Sequence, residues 1–237
     1  MVRLAILASG RGSNAQALLQ HVAKGHIHAR VALVLSNMPG APVLDIAGGA
    51  NIPFWAESHK KYPSREAFDL AMLDAMREAR IDAVVLAGYM RLLTPAFLNA
   101  YPGRVINVHP SLLPAFPGTD GGGATLAHGV KFAGCTVHFV EEAADSGPII
   151  IQAAIAVRDN ETIHSLMPRI HALEHRILPQ AVQWLATDRL RVRGRHVELL
   201  PPLENNGAAK RRGASLACAT AAPVVDCLIN PPLEEGF

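Results

Sequence analysis

The chain has 237 residues, of which 50% are hydrophobic and 18% are charged, and its formal net charge is +2. This length allows one large α/β domain or two small ones, and the balanced charge argues against a nucleic-acid partner. No apolar run reaches the roughly 18 residues of a membrane span, and the N-terminus lacks the pattern of a signal peptide, so we expect a cytoplasmic protein. The three cysteines, Cys135, Cys218 and Cys227, form neither a disulfide framework nor a zinc pattern, and the sequence shows no other metal cluster.

The N-terminal segment predicts a buried strand, a glycine loop and a helix. Residues 2–8 are nearly all apolar, which is typical of a central parallel strand buried on both faces. The loop of residues 9–14, SGRGSN, follows, and residues 15–23 have helical character. Glycines let the backbone approach a ligand, and free N–H groups at a helix start favour an anion. The segment therefore predicts a site for a phosphate-bearing ligand, with a purely structural turn as the alternative.

The glycine loop departs from the dinucleotide-binding fingerprint. Gly10 and Gly12 are present, but Ala15 occupies the third glycine position. The acid expected about 20 residues later is also missing, because Ser36 and Asn37 follow the second strand. A dinucleotide-dependent oxidoreductase is therefore the least favoured class.

Alternating strands and helices in the first half predict an α/β fold that is doubly wound, with a mostly parallel twisted sheet and helices on both faces. The predicted strands cover residues 31–35, 52–54 and 83–87, and the predicted helices cover residues 41–50 and the stretch that Ser64 caps. Arg65 lies in the first turn of the capped helix, where a cation works against the helix dipole. Arg65 is therefore either a ligand-binding residue or simply a solvent-exposed charge.

Residues 105–114, VINVHPSLLP, predict a buried strand that ends in an open crevice. Asn107 and His109 are two apart, so they project to the same face of an extended strand. An amide donor beside a titratable imidazole suits carbonyl chemistry, because one group polarises the oxygen and the other moves protons. The alternative is that both are polar residues at a strand end whose hydrogen bonds are satisfied and that have no catalytic role.

The second half begins with a glycine-rich stretch and a hairpin. Residues 114–123 predict a mobile loop and residues 124–129 a short helix. Residues 134–140 and 149–157 predict a hairpin, and the acidic turn between them contains Asp145. A solvent-exposed acidic turn is the default interpretation of this stretch. Asp145 gains a catalytic role only if the fold brings it close to His109.

A long helix and a tail complete the chain. Thr162 can cap a helix that reaches about residue 185, and its two prolines, Pro168 and Pro179, predict a late start, a kink or both. Residues 191–200 predict an exposed strand or C-terminal hairpin. Residues 204–237 show no regular spacing of apolar residues, which predicts a flexible tail.

Three motifs in this order resemble those of the phosphoribosylglycinamide formyltransferases. They are SGRGSN at residues 9–14, NVHPSLLP at residues 107–114 and DSGPII at residues 145–150. The resemblance implies the formyltransferase fold in one domain, residues 1–203, whose first half to about residue 105 binds the nucleotide while the remainder binds folate and carries the chemistry. It also implies formyl transfer from 10-formyltetrahydrofolate to the amine of 5-phosphoribosylglycinamide in purine biosynthesis, without a metal.

The resemblance implies roles for individual residues. Asn107, His109 and Asp145 match the catalytic group, in which Asp145 keeps His109 charged. The positions expected to bind the ribonucleotide are Gly12, Ser13, Asn14, His171 and Glu174. The positions expected to bind folate are Arg65, Met90, Arg91, Leu92, Leu93, Asn107, Glu141, Glu142, Ala143, Ala144 and Asp145.

One stretch departs from the family pattern, and three other functions compete with transfer to the ribonucleotide. Residues 119–125, TDGGGAT, stand where the family carries a histidine- or arginine-containing stretch, and the glycines predict a looser loop. Formyltetrahydrofolate deformylase uses a similar Asn, His and Asp set. Methionyl-tRNA formyltransferase needs an RNA-binding domain, for which the tail is too short, and a non-catalytic nucleotide-binding module could reuse the fold. We expect small-molecule partners only, without nucleic acid or membrane, and a monomer or homodimer.

Overall fold

The chain folds around a twisted sheet. The structure is a computed structural model that describes residues 1–202 and 227–237. The strands are β1 (Val2–Leu7), β2 (Ala29–Ser36), β3 (Phe54–Ala56), β4 (Ala83–Leu86), β5 (Val105–His109), β6 (Phe132–Phe139), β7 (Ile149–Ala156), β8 (Leu190–Arg193), β9 (His196–Leu199) and β10 (Cys227–Asn230). Within the described residues, eight of them form one sheet in the order β10-β7-β6-β5-β4-β1-β2-β3, and β8 and β9 form a separate hairpin.

Helices cover both faces of the sheet. They are α1 (Ser13–Ala23), α2 (Val43–Gly49), α3 (Arg65–Glu78), α4 (Pro95–Ala100), α5 (Gly121–Ala127) and α6 (Ile163–Ala186), and a short 3₁₀ turn spans His59–Lys61. Side chains alternate along β1, so Leu4 and Ile6 pack against α1, α2 and α6, while Ala5 and Leu7 pack against α3 and α4. No helix among the described residues is long and apolar enough to cross a membrane.

The strand order creates a crevice beside β1. Strands β1 to β5 pair in parallel, and β6, β7 and β10 pair antiparallel with their neighbours. The chain moves outward from β1 to β2 and β3 and then returns to β4 on the other side of β1. Ligands of open α/β sheets bind where the strand order reverses, outside the carboxyl ends of the strands. Residues 9–14 and 87–94 follow the two central strands and border this crevice.

The predicted doubly wound sheet and both predicted hairpins are confirmed. The late start of the long helix is wrong, because α6 begins at Ile163, directly after its cap Thr162, and continues for 24 residues through Pro168 and Pro179. Each proline removes one backbone hydrogen bond. The buried stripe that includes Ile170, Leu173, Ile177 and Trp184 packs against the sheet and outweighs that loss.

The predicted tail is wrong for residues 227–237, and its remainder lies outside the described residues. Cys227–Asn230 pairs antiparallel with β7, with Cys227 opposite Ile155. Cys227 and Ile229 face the core, while Leu228 between them is exposed. A four-residue edge strand with only two inward side chains is too short to produce a recognisable period, which is why the sequence pattern missed it.

Residues after β10 attach the C-terminus to the body of the protein. Arg189 donates a 2.6 Å hydrogen bond to the Glu234 carboxylate, and the Glu234 N–H donates to the Gln180 side chain over 2.7 Å. Phe237 stacks on His21 of α1, with ring centroids 5.2 Å apart. The C-terminal segment therefore contacts both α1 and the end of α6.

Replacing Glu234 by glutamine tests whether this attachment stabilises the fold. The change removes the charge opposite Arg189, whose side chain is only 9% exposed. We expect the free energy of unfolding, measured by urea denaturation, to fall by up to about 1 kcal/mol, the scale of a partly exposed ion pair whose acceptor oxygen is kept but whose charge is lost. Glu235→Gln is the matched control, since Glu235 is exposed. Equal effects of the two substitutions would contradict a stabilising role for the ion pair.

Candidate active site

The crevice contains a cavity of about 680 Å³. Its walls come from the loops after β1, β4 and β5, from the turn between β6 and β7, and from one face of α6. The sequence-predicted residues that line it are Gly12, Ser13, Asn14, Met90, Arg91, Leu92, Leu93, Asn107, His109, Glu141, Glu142, Ala143, Ala144, Asp145, His171 and Glu174. Arg65 is not among the lining residues; it lies exposed at the first position of α3.

The loop after β1 presents the start of α1 to the cavity. Gly12 precedes the helix with φ 78°, in the left-handed region that glycine adopts readily. A Cβ at this position would lie 2.7 Å from Cγ2 of Val43, so the loop packs too closely against α2 to accept a side chain. Backbone N–H groups in the first turn of a helix have no partner within the helix and bind anions. The geometry therefore suits a phosphate group.

Asn14 and Glu174 join α1 to α6 inside the cavity wall. The Asn14 amide donates a 2.8 Å hydrogen bond to Oε2 of Glu174, and both side chains are buried. Burial raises the pKa of the Glu174 carboxyl to about 7, and the hydrogen bond from Asn14 offsets only part of that rise. Glu174 is therefore a carboxyl group that can change its charge near neutral pH.

Two histidines flank Glu174 on α6. Burial lowers the pKa of His171, and the nearby charges of His175 and Arg11 lower it further. Burial also lowers the pKa of His175. Both imidazoles therefore favour the neutral form, in which they can donate and accept hydrogen bonds to a sugar or an amine.

His109 is fixed at the end of β5 by a backbone carbonyl. Its Nε2 lies 2.9 Å from the carbonyl oxygen of Phe116, which can only accept, so Nε2 carries a proton. The Ser111 hydroxyl donates to the carbonyls of Ala115 and Phe116 and braces the same turn. Nδ1 of His109 faces Asp145 Oδ2 at 3.5 Å. Nε2 of the imidazole is thus occupied by a hydrogen bond to a carbonyl, whereas Nδ1 lies beside a carboxylate.

The turn between β6 and β7 brings Asp145 to His109. Asp145 has φ 50°, and its Oδ2 accepts a 2.8 Å hydrogen bond from the Gly118 N–H. A Cβ on Gly147 would lie 1.8 Å from the Phe139 carbonyl oxygen, so the turn can approach β6 this closely only with glycine there. The backbone conformation of this turn therefore places Asp145 beside His109, although the two residues are 36 positions apart in the sequence.

Asn107 lies opposite His138 across the β5–β6 pair. Nδ1 of His138 lies 2.8 Å from the Phe139 carbonyl oxygen, so it carries the proton, and Nε2 accepts from the Asn107 amide at 3.2 Å. Burial lowers the pKa of His138, and its contacts with Phe139 and Asp145 offset only part of that effect. His138 therefore stays neutral and determines which way the Asn107 amide points.

The sequence patterns missed His138 and His175 as cavity residues. His138 sits on the face of β6 that alternation assigns to polar side chains, and such a face is ordinarily solvent-exposed. Thr136 and His138 are nevertheless buried. The loop after β5 lies on this face, because Thr136 donates to the Ser111 carbonyl and accepts from the Leu113 N–H. The pairing of His138 with Asn107 could have been found only from the register of the hairpin against β5.

The glycine-rich stretch is more ordered than its sequence predicts. Asp120 caps α5, because its carboxylate accepts from the Gly123 N–H at 3.1 Å, and the helix begins at Gly121. Gly121 and Gly122 are buried against the end of β5 and against Met167 of α6. The predicted mobile loop is therefore wrong for these residues, since the missing side chains let α5 pack closely.

Residues 2–182 match the family model described as formyl transferase. The chain belongs to the formyl transferase family. A phosphoribosylglycinamide formyltransferase of Bacillus subtilis is 42% identical over 185 residues, which cover 78% of this chain and 95% of that protein. The trifunctional purine biosynthetic protein adenosine-3 of Drosophila melanogaster is 45% identical over 186 residues, which cover 77% of this chain but only 14% of that protein.

Solved structures place this formyl transferase among enzymes of known fold. Glycinamide ribonucleotide transformylase 1 from Symbiobacterium toebii is 46% identical and superposes with a TM-score of 0.83. The match covers 85% of this chain and 95% of that one. A formyltetrahydrofolate deformylase from Pseudomonas syringae is 27% identical, with a TM-score of 0.78 over 84% of this chain and 66% of that one. The fold is common to both activities, but the sequence is closer to the transformylase.

The buried Glu174 makes the stability of this formyl transferase depend on pH. The folded protein holds the Glu174 proton up to about pH 7, whereas the unfolded chain releases it near pH 4.5, so stability falls as pH rises between these values. Glu174→Gln keeps an acceptor for Asn14 and removes the charge. We expect this variant to be more stable than the wild type at pH 8, by up to about 3 kcal/mol.

Urea denaturation from pH 4.5 to 8 measures the effect. The difference in unfolding free energy between Glu174→Gln and the wild type should grow with pH and level off above about 7. Glu78→Gln serves as the control, because Glu78 is exposed at the end of α3. A pH-independent difference for Glu174→Gln would show that the carboxyl titrates normally.

Proposed function

We propose that this formyl transferase moves the formyl group of 10-formyltetrahydrofolate to the amine of 5-phosphoribosylglycinamide, a step of de novo purine biosynthesis. The observation that carries the proposal is the placement of Asp145 3.5 Å from His109 in the cavity that the phosphate-binding loop also borders. An acid–base pair beside an anion site suits transfer to a phosphorylated acceptor. The resemblance to phosphoribosylglycinamide formyltransferases names that acceptor.

The ribonucleotide binds between α1 and α6. Its phosphate accepts hydrogen bonds from the backbone at Gly12, Ser13 and Asn14, where the helix start favours negative charge. Glu174 and His171 line the same side of the cavity and contact the remainder of the acceptor. This orientation directs the glycinamide amine toward the end of β5.

The folate binds on the other side of β5. Residues 90–93 and 141–145 line this part of the cavity. The family resemblance implies that they hold the pterin largely through backbone groups. Met90 and Leu92 are more than half exposed, so their apolar side chains at the rim can cover the ring system. Arg65 reaches the folate only from outside the cavity lining, which suits a contact with its carboxylate tail.

The amine attacks the formyl carbon directly and forms a tetrahedral oxyanion. Asn107 donates to this oxygen. His138 accepts one hydrogen of the Asn107 amide nitrogen, and among the described residues no acceptor takes the other. No covalent enzyme intermediate is needed, so the site requires no activated serine or cysteine. The attacking nitrogen carries a positive charge after the attack and must lose a proton. Collapse of the intermediate returns the carbonyl and expels the folate nitrogen, which must gain a proton.

His109 supplies that proton from Nδ1. Nε2 is committed to the Phe116 carbonyl, so Nδ1, which faces Asp145, is the nitrogen that exchanges. The Asp145 carboxylate faces Nδ1 at 3.5 Å and orders a water, through which the proton that the amine loses returns to His109. His138, which is neutral and already protonated on Nδ1, does not compete for this role.

A coupled assay tests the proposed function directly. The purified protein receives 10-formyltetrahydrofolate with and without 5-phosphoribosylglycinamide, and tetrahydrofolate release is followed by absorbance. We expect release only when the acceptor is present. Release without the acceptor would assign the deformylase reaction instead, and no release in either case would favour a non-catalytic module.

Substitution of the acid–base pair tests the mechanism. We expect His109→Ala to lower kcat by about 10²–10⁴-fold, the usual range for a lost general acid. Asp145→Asn should lower kcat as well, because the uncharged amide no longer pairs with Nδ1 of His109. Ribonucleotide binding, measured by calorimetry, should stay within about twofold. His196→Ala, in the exposed β8–β9 hairpin, is the control. Loss of binding with unchanged kcat would make His109 a substrate contact.

A further inference from the structure

The segment between β4 and α4, residues 87–94, contains no helix or strand and is anchored by side chains from outside it. Near its start, the Met90 N–H donates to the Ser9 hydroxyl oxygen over 2.9 Å. At its end, the Thr94 N–H donates to the buried Asp69 carboxylate over 2.7 Å. Residues 90–93 therefore span the distance between two fixed points.

Ser9 can make this contact only as an acceptor. Its single hydroxyl proton goes to the amide oxygen of Asn37, 2.6 Å away, at the end of β2. A lone pair of the same oxygen then faces the Met90 N–H. The Ser9 N–H also donates to the Gly88 carbonyl over 3.0 Å. Residue 9 thus holds the backbone on both sides of Tyr89.

Side chains anchor both ends of the segment, but not Met90 itself. Tyr89 is buried and its hydroxyl contacts the Met72 sulfur at 3.6 Å, while Leu93 at the far end is buried as well. The Met90 side chain between them is 61% exposed. Among the described residues, the Ser9 hydroxyl is therefore the side-chain group that holds the Met90 backbone.

We propose that Ser9 is a positioning residue that sets the backbone of residues 90–93 for folate. The inference rests on the proposed function and extends it, because it assigns a role to a residue outside the cavity lining. Ser9 directly precedes Gly10 of the phosphate-binding loop, so one hydroxyl fixes the distance between the ribonucleotide-binding loop and the folate-binding segment. The two substrate-binding segments therefore have a fixed relative position before either substrate binds.

Removal of the hydroxyl tests the proposal. We expect Ser9→Ala to raise KM for 10-formyltetrahydrofolate about 3- to 10-fold, which corresponds to the loss of one hydrogen bond, while KM for the ribonucleotide changes less than about twofold. Ser9→Thr keeps the hydroxyl and should restore most of the folate affinity. A KM for folate that does not change in Ser9→Ala overturns the proposal.

Ser36→Ala is the matched control for a merely structural effect. Like Ser9, Ser36 lies at the carboxyl end of a strand, here β2, and its hydroxyl bonds the backbone of Met38 rather than the folate segment. Both alanine variants should lose similar thermal stability, but only Ser9→Ala should lose folate affinity. Equal losses of folate affinity in the two variants would reduce Ser9 to a structural residue and overturn the proposal.

Direct binding separates this inference from the proposed function. Calorimetry with tetrahydrofolate requires no turnover, and we expect the Kd to rise about 3- to 10-fold in Ser9→Ala. If the wild type transfers no formyl group yet shows this shift, the function fails and the positioning role stands. If the wild type is active and the Kd does not shift, the positioning role alone fails.

Discussion

The antiparallel pairing of β5 with β6 is the constraint on which the site depends. Strand β5 completes the parallel half of the sheet, and β6 turns back along it with Asn107 opposite His138. The same pairing directs the following turn toward the end of β5, where Asp145 meets His109 at 3.5 Å. The parallel half supplies His109 and an anion site that many folds share, and the antiparallel half adds the Asp145 carboxylate and the His138 imidazole.

Two carboxyl groups in the cavity wall lie in different environments. Burial raises the pKa of Glu174 to about 7, and the hydrogen bond that it accepts from the Asn14 amide offsets only part of that rise. Asp145 accepts from the Gly118 N–H and faces two imidazoles. Asp145 is therefore placed to pair with an imidazolium, whereas Glu174 can serve as a hydrogen-bonding group for the acceptor.

Much of the architecture could be predicted from local patterns, because continuous apolar runs such as residues 2–7 and 83–86 are typical of buried parallel strands. Asn107 and His109 were identified because strand spacing puts them on one face. His138 was not, since its burial depends on a loop that covers β6 from elsewhere in the chain. The glycine stretch was misjudged for a related reason. Glycine raises flexibility locally, but at Gly121 and Gly122 the absence of a side chain permits close packing.

The position of β10 has a consequence for how the protein is made. Strand β7 pairs with β6 on one side, and its other side pairs with Cys227–Asn230, more than seventy positions later in the chain. During synthesis this side of β7 lacks its β10 partner until residues 227–230 have left the ribosome. An unpaired edge of this kind is the usual template for pairing with another chain. Strand β10 therefore protects an edge that the growing chain exposes while the intervening residues are made.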